Sequence, residues 1–291
     1  MEGDRTASGQ TFRTSRHEVV VERNVGGRTD GERFRFRRDS TRLVRIENSY
    51  IPIRGVGEKT ERRLWAAGAT HWDGFEPSMV GPKTGERVES WLSTARERLD
   101  DGDARYFGSE FPSGERWRLY ENFRDGACFF DIETTGLSMD RDRVTTVSLH
   151  RGGETTTLVR GRDLTAERLE SEFRDADLLV TFNGSQFDVP FLERSFDVTL
   201  DQPHVDLRFL CGRLGLSGGL KRVERELGVE RDRPDLTGRD AVRLWHRYEA
   251  GEESALETLV SYNRDDAVNL RPLMETATDR LHDEVFAPLE E

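Results

Sequence analysis

Five short apolar runs between residues 126 and 207 limit the folds that this chain can adopt. Each run is rich in β-branched or aromatic residues and ends near turn-forming residues, a pattern typical of β-strands. The predicted strands span residues 128–132, 143–149, 155–159, 177–182 and 205–207. The first three follow one another directly, whereas helix-like sequence at 164–173 and 187–195 separates the later ones. Three meander strands followed by strand–helix alternation predict an α/β domain with a mixed sheet.

Helices are predicted after this sheet. They span residues 219–227, 239–248 and 253–281. Before the sheet, glycine, proline and charged residues cluster at 100–103 and 108–114, so these segments are interpreted as a linker. Residues 1–17 are polar and are expected to be mobile. Segments 17–23 and 32–37 are predicted to pair as a β-hairpin, for which the sequence indicates no function.

An internal repeat lies between this hairpin and the linker. The run Val56-Gly57-Glu58-Lys59-Thr60 returns, offset by 24 residues, as Val80-Gly81-Pro82-Lys83-Thr84. Each copy precedes helix-like sequence, and glycines before a helix leave backbone N–H groups free to bind anions. The residues predicted to bind phosphate are Gly55, Gly57, Lys59, Gly81 and Lys83. Two ordinary glycine turns, or a helical pair that binds another protein, are the alternatives.

The charge composition predicts adaptation to a salty cytoplasm. The 291 residues include 56 acidic and 44 basic ones, for a net charge of -12, and only three of the basic residues are lysines. A GC-rich genome would explain the abundance of arginine but not the acidic excess. Net acidity disfavours nucleic-acid binding at low salt, although a local basic track and bound metal ions suffice for a nuclease.

Two further features predict a cytoplasmic protein. No apolar run is long enough to span a membrane, and no secretory leader is evident. The two cysteines, Cys128 and Cys211, do not have the spacing of a metal site, so reduced thiols are expected.

Three segments supply four carboxylates and one phenol. They read Asp131-Ile-Glu133-Thr-Thr-Gly136, Asn183-Gly-Ser-Gln-Phe-Asp188 and Tyr262-Asn-Arg-Asp-Asp266. Asp131 and Glu133 would share one face of a strand, and Tyr262 and Asp266 would share one face of a helix. Converging carboxylates suit hard divalent cations, and two such ions can promote phosphodiester cleavage.

Each of these residues also has a structural interpretation. Asp188 could cap a helix, Tyr262 could be a core residue, and Asp266 could be a surface charge. Asp206, beside His204, could support the site, but a turn or cap role is the favoured interpretation. The occurrence of all three segments in this order favours the catalytic interpretation.

The segments resemble the three exonuclease motifs of the DEDD superfamily, which has a ribonuclease-H-like fold. The first motif, Asp-x-Glu-Thr-x-Gly, matches residues 131–136, and the second, Asn-x-x-x-Phe-Asp, matches 183–188. The third motif has either tyrosine four residues or histidine five residues before its aspartate. Tyr262 lies four residues before Asp266, so the chain resembles the tyrosine subclass. Residues 218–228 and 244–248 further resemble a YprB-like branch, in which a helix-hairpin-helix region precedes the nuclease domain.

This resemblance implies a mechanism and a set of site residues. Asp131, Glu133, Asp188 and Asp266 would hold two divalent metal ions, Mg²⁺ or Mn²⁺, and Tyr262 would position the attacking water. The enzyme would be a 3′–5′ exonuclease that releases nucleoside 5′-monophosphates from single-stranded ends, with DNA favoured over RNA. The nucleic-acid contacts implied beside the carboxylates are Thr134, Gly136, Leu137, Asn183, Lys221 and Arg222.

The expected architecture is a ribonuclease-H-like mixed sheet flanked by helices and preceded by a small helical domain. Residues 1–42 would form an extension with a β-hairpin, 43–108 a tandem helix-hairpin-helix-like domain, and 112–285 the exonuclease domain. Two alternative functions remain. One is a non-catalytic nucleic-acid-binding scaffold. The absence of one of the four carboxylates would favour this alternative, but the sequence contains all four. A structure-specific endonuclease could use the same site.

Overall fold

The strands among the described residues form two sheets in the computed structural model. The structure describes residues 44–231 and 234–286, together with the backbone of residues 9–14, 17–22 and 35–37. Residues Met1–Leu43 form one compact unit, and Val44–Glu291 form another. Among the described residues, no helix combines the length and the apolar character that crossing a bilayer requires.

The first unit contains a three-stranded antiparallel sheet. Its strands, in order across the sheet, are β1 (Gly9–Thr14), β2 (His17–Glu22) and β3 (Arg35–Arg37). The pairing of β2 with β3 confirms the two predicted hairpin strands, while residues 23–34 lie outside the described residues. Strand β1 shows that the expectation of a mobile segment over residues 1–17 was wrong for Gly9–Thr14. This segment pairs with β2 along its whole length, so backbone hydrogen bonding outweighs its polar composition.

The second unit begins with helical structure. Its first four α-helices are α1 (Glu58–Ala66), α2 (Pro82–Asp100), α3 (Ala104–Glu110) and α4 (Tyr120–Phe123), with a 3₁₀-helix at Ser113–Leu119. The linker interpretation of 108–114 was therefore wrong. Phe111 in this segment is 2% exposed. A Cβ added to Gly108 would lie 2.6 Å from Pro203 Cγ, so this glycine permits close packing rather than a flexible connection.

The second sheet has five strands in the order β6-β5-β4-β7-β8. They are β4 (Ala127–Thr134), β5 (Val144–Arg151), β6 (Glu154–Val159), β7 (Leu178–Thr181) and β8 (His204–Asp206). The pairs β4–β5 and β5–β6 are antiparallel, and the pairs β4–β7 and β7–β8 are parallel. The predicted mixed sheet is confirmed, and β4 lies at its centre.

Helices cover both faces of this sheet. They are α5 (Ala166–Arg174), α6 (Asp188–Phe196), α7 (Leu207–Arg213), α8 (Leu220–Leu227), α9 (Gly238–Glu249) and α10 (Glu253–Val285). Side chains alternate across β4 as the strand period requires. Phe130 packs in one core with Phe173 of α5 and Phe191 of α6. Phe129 packs in the other core with Leu270 of α10, so the longest helix lies against the central strand.

Candidate metal centre

Three of the predicted carboxylates converge between β4 and α10. Asp131 and Glu133 are two residues apart on β4, and Asp266 lies on α10. One ligand oxygen of each residue lies within 4.8 Å of the others. Glu133 is 9% exposed and Asp266 is 6% exposed, so these charges lie largely out of water. An all-oxygen donor set at this spacing fits a hard divalent cation.

The fourth predicted carboxylate, Asp188, lies beside these three but outside their cluster of ligand atoms. It is the first residue of α6, and no side-chain cap is formed at that helix end, so the cap interpretation does not apply. Its Oδ1 accepts a hydrogen bond from the backbone N–H of Ile132 at 3.2 Å. Asp188 is thus held against the backbone that joins Asp131 to Glu133.

Burial raises the pKa of all four carboxyl groups, and repulsion from neighbouring carboxylates adds to the rise. Desolvation is the largest cause for Asp131 and Glu133, and the charge of Asp266 is the next; together they raise both pKa values well above the ordinary range. Burial raises the pKa of Asp188 to about 7. It raises that of Asp266 to about 6, although Arg231 opposes the rise. A divalent cation would offset this repulsion, so the charge balance as well as the donor set fits a metal ion.

Tyr262 lies one helical turn before Asp266 and is 5% exposed. Burial, followed by the charges of Asp266, Glu133 and Asp131, raises the pKa of its phenol far above the ordinary value. The Lys221 ammonium lies 4.9 Å from the centroid of the tyrosine ring. A phenol in this position can orient a water molecule or take part of its proton.

Sequence reasoning missed Asn263, which directly follows Tyr262. Its Nδ2 donates to the backbone oxygen of Asp131 at 3.1 Å and to Asp131 Oδ2 at 2.8 Å. Its Oδ1 accepts from Ser148 Oγ at 2.9 Å, and the residue is fully buried. Asn263 therefore ties α10 to β4 and orients the Asp131 carboxylate. Its only signal in the sequence is a position inside the third motif.

Arg231 and Glu224 were also missed. The Arg231 guanidinium donates to Asp266 Oδ1 and pairs with Glu224, and all three side chains are almost fully buried. No short spacing connects these residues, since Arg231 precedes Asp266 by 35 positions. Only the fold brings them together.

The turn after β4 presents Leu137 to solvent. Thr134 Oγ1 donates to the backbone oxygen of Gly136 at 2.6 Å, which closes the turn. A Cβ on Gly136 would lie 2.5 Å from Asp142 Oδ2, so a side chain there would displace the Asp142 carboxylate. The Leu137 side chain is 84% exposed, one of two large apolar side chains with high exposure among the described residues. This exposed leucine, four residues after Glu133, is available to contact a ligand.

Asp206 holds the loop that leads to Asp188. It accepts hydrogen bonds from the backbone N–H groups of Asn183 (2.7 Å) and Ser185 (3.1 Å). It also caps α7 by accepting from Arg208 N at 3.0 Å, so the favoured cap role and the alternative supporting role are combined. Asn183 adopts a left-handed conformation with φ of 69°. Its side-chain oxygen accepts from Arg208, so its backbone and side chain are both fixed.

The half-buried His204 predicts a pH dependence of stability. Its Nε2 lies 2.8 Å from Thr181 Oγ1, and burial lowers its pKa from 6.5 to about 4. The unfolded chain therefore binds more protons between these values, and stability falls as the pH falls through them. Relative to His204→Gln, the natural protein is expected to lose on the order of 2 kcal/mol between pH 6.5 and 4. Chemical denaturation at several pH values measures this loss.

The control for this measurement is His246→Gln, because the His246 side chain is 62% exposed on α9. Substitution of this exposed side chain is expected to have little effect on stability. Equal pH dependence in the natural protein and in His204→Gln would show that His204 contributes nothing to it.

The two predicted basic contacts on α8 differ in environment. Lys221 lies over the ring of Tyr262. Burial, followed by the charge of Arg231, lowers its pKa, and Asp266 opposes this shift. Arg222 is 59% exposed and pairs with Glu226 at 2.8 Å. The structure thus brings Lys221 to the carboxylates and leaves Arg222 on the surface.

The repeated Gly–Lys segments have the same local structure. Gly57 is the N-cap of α1, and Gly81 is the N-cap of α2. Lys59 and Lys83 are the second residues of these helices, and both are exposed. Gly55 adopts a positive φ of 96° in the turn before α1. Each lysine therefore lies at a helix start, where the helix dipole favours anions.

Solved structures with some likeness to this chain share low identity with it. One is described as the apo form of a nuclease: it is 23% identical, with coverage of 57% of this chain and 78% of that chain and a TM-score of 0.43. The family B DNA polymerase of the archaeon Pyrobaculum calidifontis is 17% identical. The match covers 52% of this chain and 27% of the polymerase, with a TM-score of 0.42. Brucella melitensis NrnC bound to pGG is 21% identical. The match covers 59% of this chain and 83% of NrnC, with a TM-score of 0.39. None of these likenesses is close enough to carry over an activity.

The family assignment comes from the sequence of the sheet domain. No curated protein matches the chain. A family model described as RNase H superfamily (RNase_H_2) matches residues 128–278. The match covers more than half of the chain and includes most of β4, most of α10 and every carboxylate of the candidate metal centre. The chain belongs to the RNase H superfamily.

Proposed function

We propose that this protein is a metal-dependent 3′–5′ exonuclease of the DEDD superfamily, in its tyrosine subclass and YprB-like branch. The observation that supports this most is the convergence of Asp131, Glu133 and Asp266 within 4.8 Å. Asp188 is hydrogen-bonded to the backbone between the first two, and Tyr262 lies one turn before the third. A buried acidic cluster of this kind is unfavourable in the metal-free protein, and metal binding explains its presence.

Asp131, Glu133, Asp188 and Asp266 would hold two Mg²⁺ or Mn²⁺ ions. When bound, such ions lower the pKa of a water ligand and neutralise charge on the phosphate and the leaving 3′ oxygen. Tyr262 orients the attacking water through its hydroxyl. Asn263 holds the Asp131 carboxylate in place. The products are nucleoside 5′-monophosphates.

The proposed substrate is nucleic acid with a single-stranded 3′ end. DNA is favoured over RNA. Exposed Leu137 packs against the terminal base, on a turn shaped by Thr134 and Gly136. Asn183 and Lys221 contact the end of the strand near the carboxylates, and Arg222 contacts its backbone farther out.

We further propose that residues 43–108 act as a tandem helix-hairpin-helix-like domain that grips the phosphate backbone. Both repeated lysines are exposed at helix starts, beside Gly57 and Gly81. In this proposal residues 112–285 form the exonuclease domain, and residues 1–42 are an extension. The acidic composition supports a salt-adapted cytoplasm as the working environment, where electrostatic affinity for phosphate is weak.

Cleavage of 5′-labelled single-stranded DNA and RNA in molar potassium chloride with Mn²⁺ or Mg²⁺ tests the function. The expected result is a ladder that shortens from the 3′ end and disappears with EDTA. Cleavage at internal positions first would identify an endonuclease. Binding without any cleavage would favour the non-catalytic scaffold.

Tyr262→Phe is expected to lower kcat by about 10²- to 10⁴-fold with little change in KM, because it removes only the hydroxyl that orients the water. Single-turnover cleavage of the labelled DNA measures this effect. Tyr248→Phe is the matched control, since Tyr248 lies on α9 and its hydroxyl accepts from Arg162. Full activity of Tyr262→Phe would exclude the proposed role of the phenol.

A further inference from the structure

A buried arginine contacts one of the proposed metal ligands. The Arg231 guanidinium donates to Asp266 Oδ1 and, at 2.9 Å, to Glu224 Oε1. The exposed fractions of the three side chains are 5% for Arg231, 1% for Glu224 and 8% for Asp266. A guanidinium held by two carboxylates out of water has a fixed orientation, because its planar fork permits few alternatives.

The chain of contacts continues beyond Glu224. Asn269, one turn after Asp266 on α10, donates from Nδ2 to Glu224 Oε1 at 3.1 Å. The same amide donates to the backbone oxygen of Glu230 at 3.2 Å, which fixes the segment that carries Arg231. Glu224 and Asn269 therefore set the position of Arg231 independently of Asp266.

Arg231 restricts how Asp266 can bind a metal ion. Its donor occupies one lone pair of Oδ1 and fixes the plane of the carboxylate, so Oδ2 is the oxygen whose lone pairs both remain for a cation. We propose that Arg231 is a positioning residue that confines Asp266 to one-oxygen coordination and thereby selects small octahedral cations over Ca²⁺. This inference rests on the proposed metal centre and adds to it a residue and a selectivity that the sequence motifs do not contain.

The selectivity follows from the coordination habits of the ions. Ca²⁺ takes six to eight oxygen ligands and often binds both oxygens of a carboxylate, whereas Mg²⁺ requires near-octahedral geometry with short bonds. Mn²⁺ is likewise suited to octahedral oxygen sites. A carboxylate with one oxygen held by arginine offers Ca²⁺ one ligand fewer, and this loss matters less to the smaller ions.

Isothermal titration of the full-length protein with Mn²⁺ and, separately, with Ca²⁺ tests the proposal without any activity measurement. The quantity of interest is the ratio of the Ca²⁺ Kd to the Mn²⁺ Kd. Removal of a positive charge changes the affinities for the two divalent ions by the same factor, so its effect cancels in the ratio of the two Kd values. A change in this ratio therefore reports a change in coordination geometry. In Arg231→Gln the ratio is expected to fall by about tenfold, the low end of measured effects of residues that orient metal ligands.

Two further variants complete the test. Arg231→Gln leaves Glu224 buried without its partner, so the double variant Arg231→Gln/Glu224→Gln is measured as well and is expected to show the same fall. Arg243→Gln is the control for charge, because Arg243 is 70% exposed on α9 and pairs with Asp240. Its ratio is expected to match that of the natural protein.

The outcomes separate this inference from the proposed function. A natural protein that binds Mn²⁺, with an unchanged ratio in both Arg231 variants, overturns the role of Arg231 and leaves the metal centre standing. A natural protein that binds neither ion overturns both. A lowered ratio in both Arg231 variants but not in Arg243→Gln supports the inference.

Discussion

Asp131→Asn is expected to abolish phosphodiester cleavage and to make the metal-free protein more stable at neutral pH. The substitution removes one ionisable group from four neighbouring carboxylates whose pKa values are all raised by burial. The amide keeps an oxygen that can accept the hydrogen bond from Asn263. Loss of a metal ligand should lower kcat by more than about 10³-fold, beyond the loss caused by removing one oxyanion donor.

The gain in stability has a defined pH range. Because these carboxyl groups have raised pKa values, the folded protein binds more protons than the unfolded chain between their ordinary range near pH 4 and about pH 7. The free energy of unfolding of the metal-free protein therefore falls as the pH rises through this range. Asp131→Asn should be the more stable protein at pH 7 by on the order of 1 kcal/mol or more, given that one pKa unit equals about 1.4 kcal/mol.

Thermal unfolding in EDTA from pH 4 to pH 8 measures the difference. The difference in Tm between Asp131→Asn and the natural protein should be small near pH 4, where the carboxyl groups are protonated in both proteins. It should be largest near pH 7. Mn²⁺ should raise the Tm of the natural protein more than that of the variant. The control is Asp140→Asn, because the Asp140 side chain is 68% exposed and pairs with Arg194. A variant that is less stable than the natural protein at pH 7 would show that the cluster is not repulsive.

The central part of the fold could be predicted because its signals are local. The run 128–130 is apolar on both faces, as a strand covered by helices on both faces must be, and β4 forms there. Asp131 and Glu133 could be placed on one face from the strand period alone. The four-residue spacing of Tyr262 and Asp266 placed both on one face of α10 in the same way.

The contacts that orient these residues could not be predicted, because they join distant parts of the chain. Asn263 contacts Asp131 across 132 positions, and Arg231 contacts Asp266 across 35. The buried helices near residue 110 were missed for a related reason. Gly108 there permits close approach to Pro203, a role that composition does not distinguish from a linker glycine.

A further long-range contact involves Arg118, the largest of the side chains that are fully buried. Its guanidinium lies 3.1 Å from Glu61 Oε2 and donates from Nε to Glu115 Oε2 at 2.7 Å. Glu61 on α1 also accepts from Tyr50 N at 2.7 Å and from Ser49 Oγ at 2.9 Å. The arginine thus joins α1 to the 3₁₀-helix Ser113–Leu119, which precedes the sheet.

Arg118→Met is expected to destabilise the protein by about 3–5 kcal/mol, the cost of leaving a buried charge without its partner. Methionine fills much of the same volume, so the loss reports on the uncompensated carboxylate of Glu61, which is 1% exposed. The double variant Arg118→Met/Glu61→Gln should recover part of the loss, because the glutamine is uncharged. Urea unfolding followed by circular dichroism measures all three proteins.

The matched control is Arg105→Met, since Arg105 is 53% exposed and pairs with Asp201 at 2.9 Å. An exposed ion pair contributes about 0–1 kcal/mol, so this variant should lie close to the natural protein. If Arg118→Met also lost less than about 1 kcal/mol, water or a shift in the pKa of Glu61 would have to compensate the buried charge. Further loss on adding Glu61→Gln would instead show that this carboxylate is stabilised mainly by Tyr50 and Ser49.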